Sequence, residues 1–149
     1  MSFEDREKEE LKLDEGLRLK VYRDNGPWAT WTIGYGHTGK DINEHTPDCT
    51  EAQADDWLEE DLREAVYAAQ SACPCFDGLD GPRKGALSNM AFQLGGKSLG
   101  SFHTFLHLLD IADYETAAKD LFTTLWSKQV PYRAARIAFR IKTGSYASR

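Results

Sequence analysis

No apolar run in the chain approaches the roughly 20 residues that a helix needs to cross a bilayer, which excludes a membrane-spanning helix. The first residues, MSFEDREKEELKLDEG, are acidic and charged where a secretory leader is basic and then apolar. The chain is therefore expected to carry no export information of its own. Cysteine is scarce. Cys49, Cys73 and Cys75 are odd in number, and a C-P-C pair is poor disulfide geometry, so a disulfide-stapled scaffold is excluded. His45-x3-Cys49 with Cys73-x-Cys75 offers the four soft ligands that zinc takes, but the single-residue spacing is narrower than a zinc knuckle. Reduced, non-catalytic thiols and no metal are expected. Repeats and low-complexity segments are absent too.

What is present suits one folded domain. The 149 residues are 41% hydrophobic and 11% aromatic, which excludes a disordered chain. The net charge is −6, unevenly spread. From Leu121 onward there are six basic residues (Lys128, Arg133, Arg136, Arg140, Lys142 and Arg149) and no acidic one. Such a basic end on an acidic body suits an anionic polymer, a nucleic acid or a membrane surface. Equally, it suits internal pairing with the acidic N-terminal half.

The pattern predicts a first helix from Ser2-x-x-Asp5, which reads as a cap, through a charged stretch to Leu13. Leu17, Leu19 and Val21 then alternate with polar neighbours, the period of a half-buried strand. Asn25-Gly26-Pro27 marks a turn, and the Thr-, Trp-, Ile- and Tyr-rich run from Ala29 to His37 suits a second strand, with a short third near Ile42. From there the chain reads as helical. Thr50-x-x-Gln53 is a capping box before the stripe Ala54, Trp57, Leu58, Leu62, Ala65 and Val66, to about Gln70. Pro82 opens a helix with Leu87, Met90, Ala91 and Leu94, ended by Gly95-Gly96. Phe102 to Leu109, a segment capped by Asp113, and Pro131 to about Gly144 complete the set. The expected architecture is α+β: a small β lobe at about 16–48, and a larger helical lobe at about 49–149 that also takes the N-terminal helix.

The densest polar constellation lies between Asp14 and His37. Glu15 falls where the first helix ends, Asp24 nine residues on where the hairpin turns, and Thr32 and His37 beyond it. Two carboxylates facing across a cleft can cut a glycosidic bond, one donating a proton to the leaving oxygen, the other acting as base or nucleophile. The spacing alone fits solvated surface charges as well.

The stretch Leu13-Asp-Glu-Gly-Leu-Arg-Leu-Lys-Val-Tyr-Arg-Asp24 followed by Thr32-Ile-Gly-Tyr-Gly-His37 resembles the catalytic segment of the T4-type lysozymes, glycoside hydrolase family 24. Asn89-Met-Ala-Phe-Gln-Leu-Gly95 resembles that family's central helix. Trp126-x-x-Gln129-x-Pro131-x-Arg133-Ala134-x-Arg136 resembles its C-terminal motif, and Thr143-Gly144 its ending. The resemblance implies a lysozyme-like fold with the active-site cleft between the lobes. It further implies Glu15 as general acid, Asp24 as the second carboxylate and Thr32 as the hydroxyl beside an attacking water. It makes Arg133 the arginine that pairs with the catalytic glutamate. A nearby cation favours ionised glutamate while a general acid must carry its proton, so Arg133 is read mainly as a positioning group. Asp14 and Arg136 are implied as a structural pair, His37 as a structural residue beneath the cleft, and Phe92 and Gln93 as sugar contacts. Gly34 and Gly36 let the backbone bend or approach sugar.

Two departures stand out. Seven residues separate Asp24 from Thr32 where the family has five, which makes Thr30 a rival for the role of Thr32. The longer turn is aromatic, so Trp28 or Trp31 could stack on a sugar or roof the β lobe. Asp120 and Phe105 stand where the family has smaller polar groups, so subsite preferences do not carry over. The activity implied is hydrolysis, with inversion, of the β-1,4 bond between N-acetylmuramic acid and N-acetylglucosamine in peptidoglycan. Retention through an Asp24 adduct is the rival course. The setting implied is a phage endolysin of a Gram-negative host, monomeric, without cofactor, nucleic acid or stable membrane insertion. It would be made in the host cytoplasm and reach the wall through a separate holin. Two other readings are a lytic transglycosylase, which needs Glu15 alone, and a non-enzymatic wall or nucleic-acid binder using the basic last helix.

Overall fold

Ser2 caps the first helix as its pattern predicts, its hydroxyl accepting from the Asp5 N–H at 3.1 Å. The computed structural model describes residues 1–23 and 29–149. In it helix α1 (Phe3–Glu15) runs to Gly16, whose φ of +69° glycine adopts without strain. Strands β1 (Arg18–Tyr22) and β2 (Thr32–Gly34) form an antiparallel pair. Arg18 faces Gly34 and Tyr22 faces Thr32, so four steps on β1 match two on β2. Such a bulge bends and twists the ribbon.

The third strand expected near Ile42 does not form among the described residues. Instead Ile33 and His37 exchange both backbone hydrogen bonds, at 2.9 and 3.0 Å, around a turn at Tyr35 and Gly36. Ile42 is buried in the core rather than paired in a strand. Nor is β1 half-buried by alternation. Leu17 and Leu19 are 38% and 44% exposed while Val21 packs inward, because among the described residues no third strand or helix covers that face of the ribbon.

The remainder is helical. Helix α2 (Glu51–Ala72) opens on the Thr50–Gln53 capping box and runs past Gln70. It is followed by a 3-10 turn at Phe76–Gly78, α3 (Gly81–Leu94), α4 (Gly96–Gly100), α5 (His103–Asp110), α6 (Tyr114–Leu121), α7 (Leu125–Gln129) and α8 (Pro131–Thr143). The two five-residue helices α4 and α7 escaped the sequence reading because they are too short to show a period.

Apolar side chains gather in two clusters. The smaller joins Leu11, Ile33, Tyr35, Ile42 and Cys49 to Ala54, Leu58 and Leu62 of α2. The larger takes Ala65 and Ala69 of the same helix with the insides of α3, α5, α6 and α8. Helix α2 thus has its first half in one core and its second half in the other. Phe105, wholly buried in the larger cluster, is a core residue rather than a cleft contact.

The candidate zinc ligands are not brought together. Cys49 belongs to the smaller cluster and Cys73 to the larger, while His45 stands in solvent beside Glu44. Among the described residues no group of three or more His, Cys, Asp or Glu is placed to hold a metal. The Cys73 and Cys75 sulfurs lie 3.2 Å apart as free thiols, and burial, then the neighbouring thiol, pushes Cys73 up to about 12. No helix is long and apolar enough to cross a membrane, among the described residues.

Candidate active site

Glu15 is the last residue of α1, where a carboxylate meets the negative end of the helix dipole. Arg133, in the first turns of α8, offsets that cost: its Nη1 donates to Glu15 Oε1 at 3.0 Å. The other oxygen, Oε2, lies over Gly36. A β-carbon there would come within 2.8 Å of it, and Gly36 also has φ +72°. One carboxylate oxygen is therefore tied to an arginine and the other fitted against bare backbone.

Arg133 is itself oriented by Asn89 of α3. Its Nε donates to Asn89 Oδ1 at 2.8 Å, and Asn89 Nδ2 donates to Asp14 at 3.0 Å and to Glu7 at 3.3 Å. Arginine only donates and carboxylates only accept, so the partners fix which way this fully buried amide faces. Asn89 is a buried member of this network that the sequence pattern left without a role. Its signal there was a polar residue on the buried face of an apolar stripe.

The same contacts decide the fate of the basic C-terminal end. Arg136 pairs with Asp14, Arg140 with Glu7, and Arg149 with both Glu10 and Asp14. With Arg133 on Glu15, four of the six basic side chains are spent on α1. Of the two readings of the basic end, a face for an anionic polymer or internal pairing with the N-terminal half, these four side chains take the internal pairing. Glu7, Glu10 and Asp14 on α1 and Arg133, Arg136 and Arg140 on α8 share the spacing i, i+3, i+7, a legible signal of two complementary stripes. Burial raises the Asp14 carboxyl, but hydrogen bonds from Asn89 and Arg149 and the nearby guanidinium charges outweigh it and hold it below the usual range.

His37 ends the turn that carries Gly36. Its Nδ1 lies 2.8 Å from Asp61 Oδ2, and its ring stacks on Trp57 at 4.6 Å. Burial pushes the Asp61 carboxyl up further than His37 draws it down. His37 is thus held on two sides by α2.

Thr32, half-buried at the start of β2, donates from its hydroxyl to the Thr30 carbonyl at 2.8 Å. Trp31 is half-buried against the smaller cluster, with Arg23 over its ring, so it roofs the hairpin. Asp24 and Trp28 lie outside the described residues.

Phe92 is half-buried between the two clusters and lines a cavity of about 320 Å³ shared by the Gly36 turn, α2 and α3. The neighbouring Gln93 accepts from the Trp126 indole at 2.8 Å, so its carbonyl anchors α7.

A mainly helical body with a two-stranded antiparallel sheet, a glutamate at the end of the first helix and a cavity beside it define a lysozyme-like α+β protein. The comparisons make this specific: the chain belongs to the phage lysozyme family, whose family model matches residues 12–136. It is accordingly a lysozyme-type glycoside hydrolase. The chain is 30% identical to a probable T4-type lysozyme 2 of Dictyostelium discoideum, across 93% of this chain and 94% of that protein. It is 31% identical to the pre-baseplate central spike protein of Enterobacteria phage T4, over 94% of this chain and 28% of the other. An endolysin of Acyrthosiphon pisum secondary endosymbiont phage 1 is 32% identical, over 79% of this chain and 75% of its own length.

Proposed function

We propose that the protein is a muramidase that hydrolyses the β-1,4 bond between N-acetylmuramic acid and N-acetylglucosamine in bacterial peptidoglycan. The observation that carries this reading is the setting of Glu15, fixed by Arg133 on one oxygen and facing with the other Gly36, which lines a cavity. Glu15 is the general acid. Because Oε1 accepts from a group that can only donate, the transferable proton belongs on Oε2. Arg133, Asn89 and Asp14 are positioning residues, since each acts through the next. Asp24 activates the attacking water and Thr32 holds it, and the anomeric centre inverts. Phe92, Gln93, Trp28 and Trp31 are the candidate sugar contacts. Of these Phe92 is best supported, because it lines the cavity, whereas Gln93 is engaged with Trp126 and Trp31 with the hairpin core.

The chain works as one domain, a β lobe at about 16–48 with a helical lobe, and as a monomer. Names among its relatives include endolysin and T4-type lysozyme. Read as an endolysin, it accumulates in the host cytoplasm and meets the wall in the periplasm after a holin has opened the inner membrane. A nucleic-acid binder is the weaker reading, because α8 spends its arginines on α1 and leaves no free basic stripe.

Turbidity loss of permeabilised Gram-negative cells, with mass spectrometry of the released fragments, tests this. Wild type is expected to clear the suspension and release reducing-end sugars. Glu15→Gln is expected to lose at least about 10²-fold in rate, the weight of a general acid. Anhydro-sugar products, or an Asp24→Ala variant that stays substantially active, would instead indicate a lytic transglycosylase. No clearing by wild type would indicate a binding module.

A further inference from the structure

We infer that Glu64 is a specificity-determining residue of the substrate cleft, and that it favours glycan bearing a protonated amine, a glucosamine unit without its N-acetyl group. The inference rests on the muramidase reading and concerns the cavity beside Glu15. Gly36 belongs to both places: its missing β-carbon would meet Glu15 Oε2, and the same residue lines the cavity. At about 320 Å³ the space is near the small end of ligand pockets, which run from roughly 300 to 1,000 Å³.

Its walls are of unlike kinds. Phe92 and the small residues of α2 and α3 give an apolar side; Gly96 approaches α2 so closely that a β-carbon there would stand 3.0 Å from that of Ala68. Beside Ala65 and Ala68 on the same face of α2 stand two carboxylates, Asp61 and Glu64, three residues apart. They differ in state. Asp61 is half-buried and already bound to His37 at 2.8 Å. Glu64 is exposed, has no hydrogen-bond or ion-pair partner among the described residues, and no basic side chain lines the cavity with it.

A fully acetylated glycan is uncharged along its sugars and gives this carboxylate hydroxyl and amide donors but no cation to pair with. An ammonium on the ring does, and it needs no long side chain to reach the wall of a cavity of this size. A single fixed charge at the edge of a cleft contributes discrimination more than affinity. It attracts the amine and repels the carboxylates of peptide stems.

The test compares kcat/KM on one partially de-N-acetylated peptidoglycan before and after chemical re-N-acetylation, for wild type, Glu64→Gln and Glu64→Asp. The quantity read is the ratio of the two rates within each protein, which cancels losses common to both substrates. Glu64→Gln is expected to lower the amine-to-acetyl ratio about two- to fivefold, chiefly through KM, as for an ion pair open to solvent. Glu64→Asp is expected to keep part of the ratio, and added salt to shrink it in wild type and in Glu64→Asp but not in Glu64→Gln. Equal ratios in wild type and Glu64→Gln overturn the inference while leaving the muramidase reading intact. If wild type cleaves neither glycan, the muramidase reading fails and the inference with it.

Discussion

Gly36 shows how much of the site depends on a single missing atom. Its φ of +72° already disfavours any other residue, and a methyl group there would press on Glu15 Oε2, the oxygen proposed to deliver the proton. Gly36→Ala is therefore expected to cost about 1–3 kcal/mol in stability. Activity should fall by about tenfold or more, because a displaced acid no longer meets the leaving oxygen. Thermal unfolding and cell-clearing rates measure the two separately. Substituting Gly100, whose β-carbon would meet nothing within 4 Å and whose φ is unstrained, supplies the control with neither effect. Asn89 is the other critical residue. Truncation to Ala leaves Arg133 Nε without its acceptor and takes one donor each from Asp14 and Glu7, which keep their arginines, so a loss of about 1–3 kcal/mol is expected, with activity falling further than stability alone explains.

The scale of elements is dominated by the ion-pair layer between α1 and α8. Glu7 is fully buried and Arg140 only 3% exposed, so neither charge can turn to water if its partner is removed. Arg140→Met alone is expected to destabilise by about 3–5 kcal/mol, whereas Glu7→Leu combined with Arg140→Met should recover most of that loss. Urea titration of the single and double variants checks the cycle. If the double variant is no better than the single, Glu7 and Arg140 are not coupled as their contact requires.

The same layer sets acid behaviour. Asp14 has its carboxyl held below the ordinary value of 3.8, so the stability it contributes is complete above that pH and is lost as pH falls through the lower folded value. Replacing Arg149 by Gln removes one of its donors and should move the acid unfolding midpoint upward in pH, readable by circular dichroism.

Across the whole molecule the two apolar clusters are unequal, and α2 belongs to both. The smaller cluster is closed by a two-stranded ribbon with Leu17 and Leu19 left in solvent. The larger is closed by helices on several sides. Opening free energy follows buried apolar area, so amides of β1, β2 and the Ile33–His37 bridge are expected to exchange hydrogen well before those of α3 and α8. Native-state hydrogen exchange measures this directly. Within α2, Leu58 and Leu62 amides should be less protected than Ala69. Uniform protection along the helix would mean that the two clusters open as one unit.

The sequence by itself determined the elements whose signal is local. The Ser2 and Thr50 caps, the Pro131 start and Gly144 end of the last helix, and the turn glycines each follow from backbone chemistry within a few residues. The candidate acid was legible too, because Glu15 sits inside an ordered set of motifs that no single pair of carboxylates could match. Only the tertiary structure decided the rest. A basic stripe on α8 and an acidic stripe on α1 are separated by more than a hundred residues, and charge alone does not say whether either meets its complement or a ligand. Packing decided that, by burying Glu7 and Asn89 at the junction, where an unpaired charge is too costly to keep. Packing likewise sent Cys49 and Cys73 to different cores, and left Glu64 facing a cavity while Asp61, one turn away, found His37.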